Sequence, residues 1–187
     1  MIINIRGTHG SGKSTLVAGL LASHPHVPLG EGKRPEGYKV TAAGLKRPVY
    51  VVGPYTTACG GCDAVQPYDL IWPRVEEYAK KGHVLFEGAL VSSSVGNIGR
   101  AMAARRQKDC VVCFLDTPVE ECLVRIQRRR AARGDERPLN PANTVSKHQS
   151  VERSRPKMEA LGVRCVTLHY KRAAKELAAL LAEAENK

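Results

Sequence analysis

The chain has few aromatic residues and no long apolar run. Aromatic side chains make up 5% of its 187 residues, so we expect a core built from Val, Leu, Ile and Ala. No stretch of about 18 consecutive apolar residues occurs, which argues against a membrane-spanning helix. The amino-terminus also lacks the basic and then apolar pattern of a secretory signal, and we therefore expect a cytoplasmic protein.

Cysteine is present, but neither of the two C-x-x-C pairs has the features of a strong metal site. Cys110 and Cys113 lie in CVVCFLD, a predicted strand in which residues three apart face opposite sides and do not bind one ion together. We expect them to be core thiols. Cys59 and Cys62 lie in the loop TACGGCDAV, where a metal or redox bridge and a tight turn with buried small side chains both stay open.

The net charge is strongly positive, and most of the excess lies in the second half of the chain. The formal charge is +11; residues 1–93 carry 10 Lys or Arg against 7 acids, whereas residues 94–187 carry 19 against 11. A field of this kind attracts polyanions, nucleic acid above all, although nucleotides alone also need some of these arginines.

Strand patterns alternate with helix patterns, which predicts an α/β fold in one domain over residues 1–187. The predicted strands are MIINI, YKVTA, PVYVVG, HVLFEG, CVVCFLD and VRCVTLHY. We expect YKVTA and PVYVVG to pair as a hairpin, and residues 26–37, rich in Pro, Gly and charge, to form a loop. A helix is expected after CVVCFLD, with Thr117 as its N-cap and Glu120 completing a capping box.

A phosphate-binding loop is predicted at GTHGSGKST, residues 7–15. The segment matches the spacing G-x-x-x-x-G-K-[ST], with a strand before it and a helix after it. Its glycines allow backbone N–H groups to converge on phosphates, Lys13 reaches the β- and γ-phosphates, and the Ser14 hydroxyl can bind magnesium. The predicted ATP-binding residues are Gly7, Gly10, Ser11, Gly12, Lys13, Ser14 and Thr15, with Arg125 and Arg129 from a later helix.

The basic segment RIQRRRAARGDERP predicts a mobile lid at about residues 125–140. Arg125 and Arg129 are four residues apart and share one helix face, and the Gly and Pro that follow allow the segment to move. Such a lid closes over phosphates, neutralises developing charge and excludes water. We select Arg129 and Arg133 as catalytic arginines, and a solvated basic face is the alternative for some of the cluster.

Two carboxylates are candidates for the remaining chemistry, since magnesium needs a carboxylate nearby and an acceptor hydroxyl needs a base. Glu87 ends the predicted strand HVLFEG, at the sheet edge where ligands bind. It can hold magnesium or accept the proton, and capping of the next turn is the alternative. Asp63, in the loop CGGCD after PVYVVG, lies at the same edge and is the second candidate base.

The segments MIINIRGTHGSGKST and FLDTPVEECLVRIQRRRAARG resemble the small P-loop kinases of the nucleoside and nucleotide kinase group. That resemblance extends over nearly the whole chain and implies a five-stranded parallel sheet, in the order 2-3-1-4-5, flanked by helices and covered by an arginine-rich lid. The segments GYKVTAAGLKRPVYVVGPYTTACGGCDAV and YAKKGHVLFEGALVSS further resemble bacteriophage P-loop kinases, among them the 5-hydroxymethyluracil DNA kinases. Those enzymes phosphorylate the hydroxymethyl group of a modified thymine already built into DNA.

The resemblance also implies ATP and Mg²⁺ as cofactors. The residues that match are Lys13 and Ser14 for ATP and magnesium, Arg129 and Arg133 for the lid, and Asp63 or Glu87 for the acceptor hydroxyl. The chain lacks the D-R-[YFH] motif of thymidylate and deoxynucleoside kinases, which argues against an ordinary free-nucleotide kinase.

Our leading hypothesis is an ATP- and magnesium-dependent kinase that phosphorylates 5-hydroxymethyluracil in DNA, with an acceptor-side insertion at about residues 26–68. A base in a duplex must be exposed by flipping, and a basic surface with Tyr55, Tyr68 and Trp72 near the pocket favours DNA as the partner. A kinase of a free nucleoside, nucleotide or other small alcohol is the second hypothesis. A P-loop NTPase that drives a nucleic-acid or protein partner is the third.

Overall fold

The computed structural model describes residues 1–57, 60–105 and 109–186, in which strands and helices alternate as the α/β prediction requires. The strands are β1 (Ile2–Arg6), β2 (His26–Leu29), β3 (Gly37–Val40), β4 (Val49–Val52), β5 (His83–Glu87), β6 (Cys110–Leu115) and β7 (Arg164–Leu168). The α-helices are α1 (Lys13–Ser23), α2 (Ile71–Ala79), α3 (Ala89–Ser93), α4 (Asn97–Ala103), α5 (Val119–Ala131), α6 (Pro141–Ala160) and α7 (Ala173–Glu185). No helix within these ranges combines the length and the apolar composition that crossing a bilayer requires.

Five adjacent strands of the sheet are parallel, in the order β4-β5-β1-β6-β7. Numbered among themselves along the chain, these strands follow the expected order 2-3-1-4-5. β1 lies in the middle with all five residues buried, as is typical of a parallel strand covered on both faces. Ile5 lies opposite Glu87 in the register of β1 and β5, so the loop after β1 and the end of β5 meet at one edge.

The complete sheet has seven strands and is mixed, so the prediction of a five-stranded parallel sheet is wrong. β2 and β3 extend it beyond β4, each in an antiparallel pairing, and the expected hairpin is confirmed as β3 and β4. β2 lies within residues 26–37, where a loop is expected. Its residues are exposed or half-buried and include Pro28, so this edge strand lacks the apolar pattern by which a strand is recognised.

Helices cover both faces of the sheet and bury two largely aliphatic cores. α1 and α7 pack on one face, through side chains such as Val17 and Leu177. α2, α4 and α6 pack on the other face, through Val75, Met102 and Met158. Each side chain of this kind contributes about 1.5–3 kcal/mol when it is fully buried. The two cores therefore hold the carboxyl ends of β1 and β5 in a fixed relation.

The structure shows where three cysteines of the two C-x-x-C pairs lie. Cys110 belongs to one core and Cys113 to the other, so the prediction that they face opposite sides of a strand is confirmed. Cys62 is buried as a free thiol. Cys59 lies outside the described residues, and the alternatives for the pair Cys59 and Cys62 stay predictions.

α5 begins without the predicted capping box. Pro118 is its N-cap, and no side chain of the described residues caps the helix. The Thr117 hydroxyl instead donates a hydrogen bond of 2.8 Å to Ser11 O, so the prediction of Thr117 as N-cap is wrong. This bond ties the phosphate-loop segment to the start of α5 across 106 positions of the chain, a contact that local pattern does not contain.

Candidate active site

Residues 7–12 connect β1 to α1 in a tight loop at the carboxyl edge of the sheet. Gly10 and Gly12 have φ angles of +78° and +99°, in the left-handed region where a residue with a side chain is strained. A Cβ on Gly10 would lie 2.4 Å from Cys122 O, a backbone atom of α5. Glycine at position 10 is therefore required both by conformation and by the close approach of α5.

Lys13, the first residue of α1, turns back over this loop. Its Nζ donates hydrogen bonds to Gly7 O at 2.9 Å and to Thr8 O at 3.1 Å. Lys13 is 7% exposed; burial lowers the pKa of its ammonium group, and the carboxylates of Glu87 and Asp63 oppose that shift. The loop thus holds a buried cation close to the two candidate carboxylates.

Glu87 ends β5 and accepts two hydrogen bonds on the same oxygen. Ser14 Oγ donates to Glu87 Oε1 at 2.9 Å, and the Tyr55 hydroxyl donates to it at 3.0 Å. Glu87 is 1% exposed, and burial raises the pKa of its carboxyl group, partly offset by the charge of Lys13 and by these two bonds. Ser14 and Glu87, the two predicted magnesium ligands, are therefore in direct contact.

Asp63 lies on a short 3-10 turn, Gly61–Ala64. Its Oδ2 accepts a hydrogen bond from Ala89 N at 2.7 Å, and its Oδ1 accepts one from Leu90 N at 3.1 Å. Asp63 is thus the carboxylate that caps the first turn of α3. The sequence alone assigns this capping role to Glu87, as the alternative to a role in catalysis. Asp63 remains exposed, so its oxygens keep further lone pairs open to a ligand.

One cavity of about 1040 Å³ brings these groups together. Its polar end is lined by His9, Gly10, Ser11, Gly12, Lys13, Ser14, Thr15, Asp63, Glu87, Arg125 and Arg129. Its apolar end extends between α1 and α7, past Leu16, Leu20, Leu177, Ala178 and Leu181. Small-molecule and cofactor pockets have volumes of about 300–1000 Å³, and this one offers charge at one end and an apolar slot at the other.

Two curated bacteriophage proteins are similar to the chain over most of its length. A 5-hmdU DNA kinase of Pseudomonas phage PaMx11 is 40% identical over 170 residues, covering 87% of both chains. The chain belongs to the 5-hmdU DNA kinase family. A second 5-hmdU DNA kinase, of Pseudomonas phage M6, is 29% identical over 187 residues, covering 96% of both chains. No protein family model and no solved structure matches the chain.

Membership in the 5-hmdU DNA kinase family confirms two predictions made from the sequence. The first is that the chain is a kinase, and the second is the resemblance to the bacteriophage 5-hydroxymethyluracil DNA kinases. A kinase requires a nucleotide phosphate donor, and the charged end of the large cavity has the side chains and backbone N–H groups that phosphates bind.

In this 5-hmdU DNA kinase family member, two of the three predicted arginines reach the large cavity and the third does not. Arg125 Nη1 donates to Ser11 O at 3.4 Å, and the guanidinium group lies 5.4 Å above the centre of the Tyr170 ring. Arg129 follows one turn later on α5 and also lines the large cavity. Arg133 lies beyond the end of α5, is exposed and does not line that cavity. The structure therefore brings Arg125 and Arg129 to the site and leaves Arg133 outside it.

Ser92 contacts the candidate site from behind, and sequence reasoning did not select it. Gly7 N donates to Ser92 Oγ at 3.4 Å, and Ser92 Oγ donates to Gly88 O at 2.6 Å. Ser92 thus links the phosphate loop to the residue that follows Glu87. The serine-rich segment VSSSVGN is the only signal in the sequence, and it does not indicate which serine turns inward.

The aromatic residues expected at the acceptor pocket have other contacts. The Tyr55 hydroxyl donates to Glu87, while Tyr68 and Trp72 are partly buried and pack against one of the two cores. Among the described side chains, none of these three lines the large cavity. Stacking of these rings on a base therefore gains no support.

Proposed function

We propose that the chain transfers the γ-phosphate of ATP, with magnesium, to the hydroxymethyl group of 5-hydroxymethyluracil within DNA. The observation that carries the proposal is the Ser14–Glu87 hydrogen bond beside Lys13, in a chain of the 5-hmdU DNA kinase family. Enzymes that transfer phosphoryl groups bring together a lysine, a hydroxyl and a carboxylate around the phosphates and the metal ion. Here all three groups lie at one point. The mixed sheet with a phosphate-loop sequence after β1 supports our assignment of the P-loop kinase fold.

ATP is the donor that we assign to the large cavity. The backbone N–H groups of residues 10–14 and the Lys13 ammonium bind its phosphates, and the positive end of α1 adds to the field there. The apolar slot between α1 and α7 accepts the base. Arg125, packed over Tyr170 at 5.4 Å, presents a flat cationic surface at the rim of that slot.

The side chains at the end of β5 fit a magnesium ion. Ser14 Oγ and Glu87 Oε1 are hard oxygen ligands, and Mg²⁺ is usually bound by one or two carboxylates, several waters and substrate phosphates. When bound, magnesium neutralises charge on the β- and γ-phosphate oxygens. Ser14 and Glu87 are the residues that would hold it, because they already converge on one point.

Asp63 is the base that we assign, since Glu87 is buried and engaged by Ser14 and Tyr55. The Asp63 carboxylate lines the same cavity and is oriented by two backbone N–H groups of α3. The hydroxymethyl oxygen bonds to the γ-phosphorus while the bond from that phosphorus to the β–γ bridging oxygen breaks. ADP leaves, and the hydroxyl proton passes to Asp63.

Arg129 and Arg133 are assigned to the lid, residues 125–140. Arg129 already borders the phosphate end of the cavity, whereas Arg133 reaches it only when the lid closes. Closure places guanidinium groups against the γ-phosphate, where charge develops in the transition state, and excludes water that would hydrolyse ATP.

The deciding experiment measures transfer of labelled γ-phosphate from ATP to three acceptors. These are DNA that contains 5-hydroxymethyluracil, matched thymine DNA, and the free hydroxymethylated nucleoside. We expect label on the modified DNA alone. The thymine DNA is the matched control, because it differs only in the acceptor hydroxyl.

Two results would replace the proposal with another function. Label on the free nucleoside alone would identify a small-molecule kinase. ATP hydrolysis that unmodified DNA stimulates, without transfer to any acceptor, would identify an NTPase coupled to nucleic acid.

A further inference from the structure

A second cleft, of about 840 Å³, lies between the end of α5, residues 132–140 and the first half of α6. Four cations line it, and its described lining contains no Asp or Glu. These cations are Arg129, Arg130, Arg137 and Lys147, and we call the space between them the basic cleft. Arg137 also pairs with Asp135, which lies outside this lining, through two hydrogen bonds of 2.8 Å. The excess of cations makes the cleft a site for an anion rather than for an apolar segment.

The walls of the basic cleft are held by defined contacts. Arg130 Nη1 donates to Arg137 O at 3.2 Å and to Pro138 O at 3.3 Å, which ties the lid segment back to α5. On the opposite wall, Asn143 and Lys147 are one turn apart on α6 and line the same cleft. Lys147 is half-buried and donates to Ser93 Oγ at 2.7 Å. The cations are therefore presented by two helices and by a lid segment that is hydrogen-bonded to α5.

The basic cleft adjoins the large cavity at the phosphate loop. His9 and Arg129 line both spaces. The Thr8 hydroxyl also donates to Thr144 O at 3.4 Å, which joins the loop to α6. An anionic chain bound in the basic cleft can therefore extend into the large cavity, towards Lys13 and the candidate base.

We propose that the basic cleft binds the sugar–phosphate backbone of the DNA strand beside the base to be phosphorylated, an assignment that rests on the proposed function. A base that enters an enzyme pocket leaves the helical stack, while its flanking phosphates stay outside. Phosphate oxygens accept hydrogen bonds from Arg, Lys, Asn, Ser and Thr, the polar side chains that line this cleft. The basic cleft thus distinguishes a polymer from a free nucleoside, which has no flanking phosphates.

The test compares two double variants of the full chain. Arg137→Gln with Lys147→Gln removes two charges from the basic cleft and leaves every residue assigned to ATP in place. Arg153→Gln with Lys157→Gln removes the same charge from exposed positions of α6 outside the cleft and is the matched control. The salt dependence of binding is measured with a labelled single-stranded oligonucleotide that contains one 5-hydroxymethyluracil.

We expect the cleft variant to bind this oligonucleotide on the order of tenfold more weakly at low salt. Its slope of log affinity against log salt should be shallower by about 1.4, since each phosphate contact on a single strand contributes about 0.7. The KM for ATP should not change. The control variant should bind as the parent does, apart from a small uniform loss.

A second measurement includes an arm on the parent alone, which does not depend on how the variants fold. Neutral methylphosphonates at the two positions that flank the modified base should weaken binding by the parent and by the control variant, but not by the cleft variant. Undiminished binding of the methylphosphonate oligonucleotide by the parent would overturn the proposal.

The remaining outcomes separate this proposal from the proposed function. Equal affinity and slope in the two double variants, with modified DNA still phosphorylated, would overturn the basic cleft alone. A raised KM for ATP with unchanged DNA affinity would assign the cleft to donor phosphates and would also overturn it. DNA binding that depends on the cleft, without any phosphate transfer by the parent, would overturn the proposed function instead.

Discussion

Ser14 Oγ donates a hydrogen bond of 2.9 Å to Glu87 Oε1, and this bond joins the first turn of α1 to the end of β5. The two residues are 73 positions apart and meet because β1 and β5 are neighbours in the sheet. The same oxygen accepts the Tyr55 hydroxyl at 3.0 Å. Substitution of Ser14 or Tyr55 should therefore alter how the Glu87 carboxylate binds a metal ion or a proton.

Glu87→Gln should raise the magnesium concentration needed for half-maximal transfer, because an amide oxygen binds Mg²⁺ more weakly than a carboxylate does. Excess magnesium should restore part of the rate. Asp63→Asn should lower the rate about 10²–10⁴-fold at every magnesium concentration, since metal does not replace a lost base. Rates measured over a magnesium series separate the two roles.

Asp69→Asn is the control for both changes, because Asp69 is exposed and does not line the large cavity. It should retain the parent rate. Identical magnesium dependence in Glu87→Gln and Asp63→Asn would contradict the division of roles between the two carboxylates.

Tyr55→Phe should move the acid limb of the pH–rate profile to higher pH. Burial raises the pKa of Glu87 above 4.5, and the bond from Tyr55 opposes that shift, so its loss should raise the pKa further. As the pH falls, Glu87 is then protonated at a higher pH than in the parent, and the protonated carboxyl group no longer binds magnesium well. The measurement is the rate against pH at subsaturating magnesium, where protonation of the metal-free carboxylate competes with metal binding.

Tyr68→Phe provides the matched control for this profile, because the Tyr68 hydroxyl bonds to Ser94 rather than to Glu87. Its acid limb should coincide with that of the parent. A limb that stays in place in Tyr55→Phe would mean that Glu87 ionisation does not limit the reaction.

Gly10→Ala should destabilise the fold by about 2–5 kcal/mol. Left-handed backbone costs about 1–2 kcal/mol in a residue with a side chain, and overpacking costs about 1–3 kcal/mol more. The new Cβ would lie 2.4 Å from Cys122 O, which belongs to helix backbone and does not move aside easily. Urea unfolding with a shared m-value measures the change.

Gly19→Ala offers the comparison within α1, since a Cβ there meets no atom within 4 Å. This change should be neutral or should stabilise the helix by up to about 1 kcal/mol. Equal effects of the two substitutions would disprove the close contact between the phosphate loop and α5.

Lys13→Ala should reduce phosphate transfer by at least about 10²–10³-fold, the usual cost of removing one donor that stabilises developing charge. The folded state should survive, because the side chain lies outside both cores and its hydrogen bonds within the described ranges go to Gly7 O and Thr8 O. Transfer assays and thermal unfolding report the two effects separately. Lys175→Ala, at an exposed position on α7, should keep the parent rate, and full activity of Lys13→Ala would reject the phosphate-loop assignment.

The central architecture follows from the sequence alone, because its signals are contiguous. β1, β5 and β6 are short apolar runs buried on both faces, and each is recognisable without knowledge of its partners. The phosphate loop is a nine-residue motif between a strand and a helix, and the likeness to the 5-hmdU DNA kinases also rests on continuous segments. The strand and helix patterns predict the α/β class, and the resemblance carried by these segments implies the parallel strand order and the kinase class.

Tertiary structure alone decided which side chains meet. β2 exists as a strand because β3 provides its hydrogen-bonding partner, and its own residues are too exposed to signal it. Thr117 bonds to Ser11 instead of capping α5, and Asp63 rather than Glu87 caps α3. In each case the deciding partner lies many positions away along the chain. Periodicity describes which face of an element is buried, whereas a hydrogen bond between distant residues depends on how the elements pack.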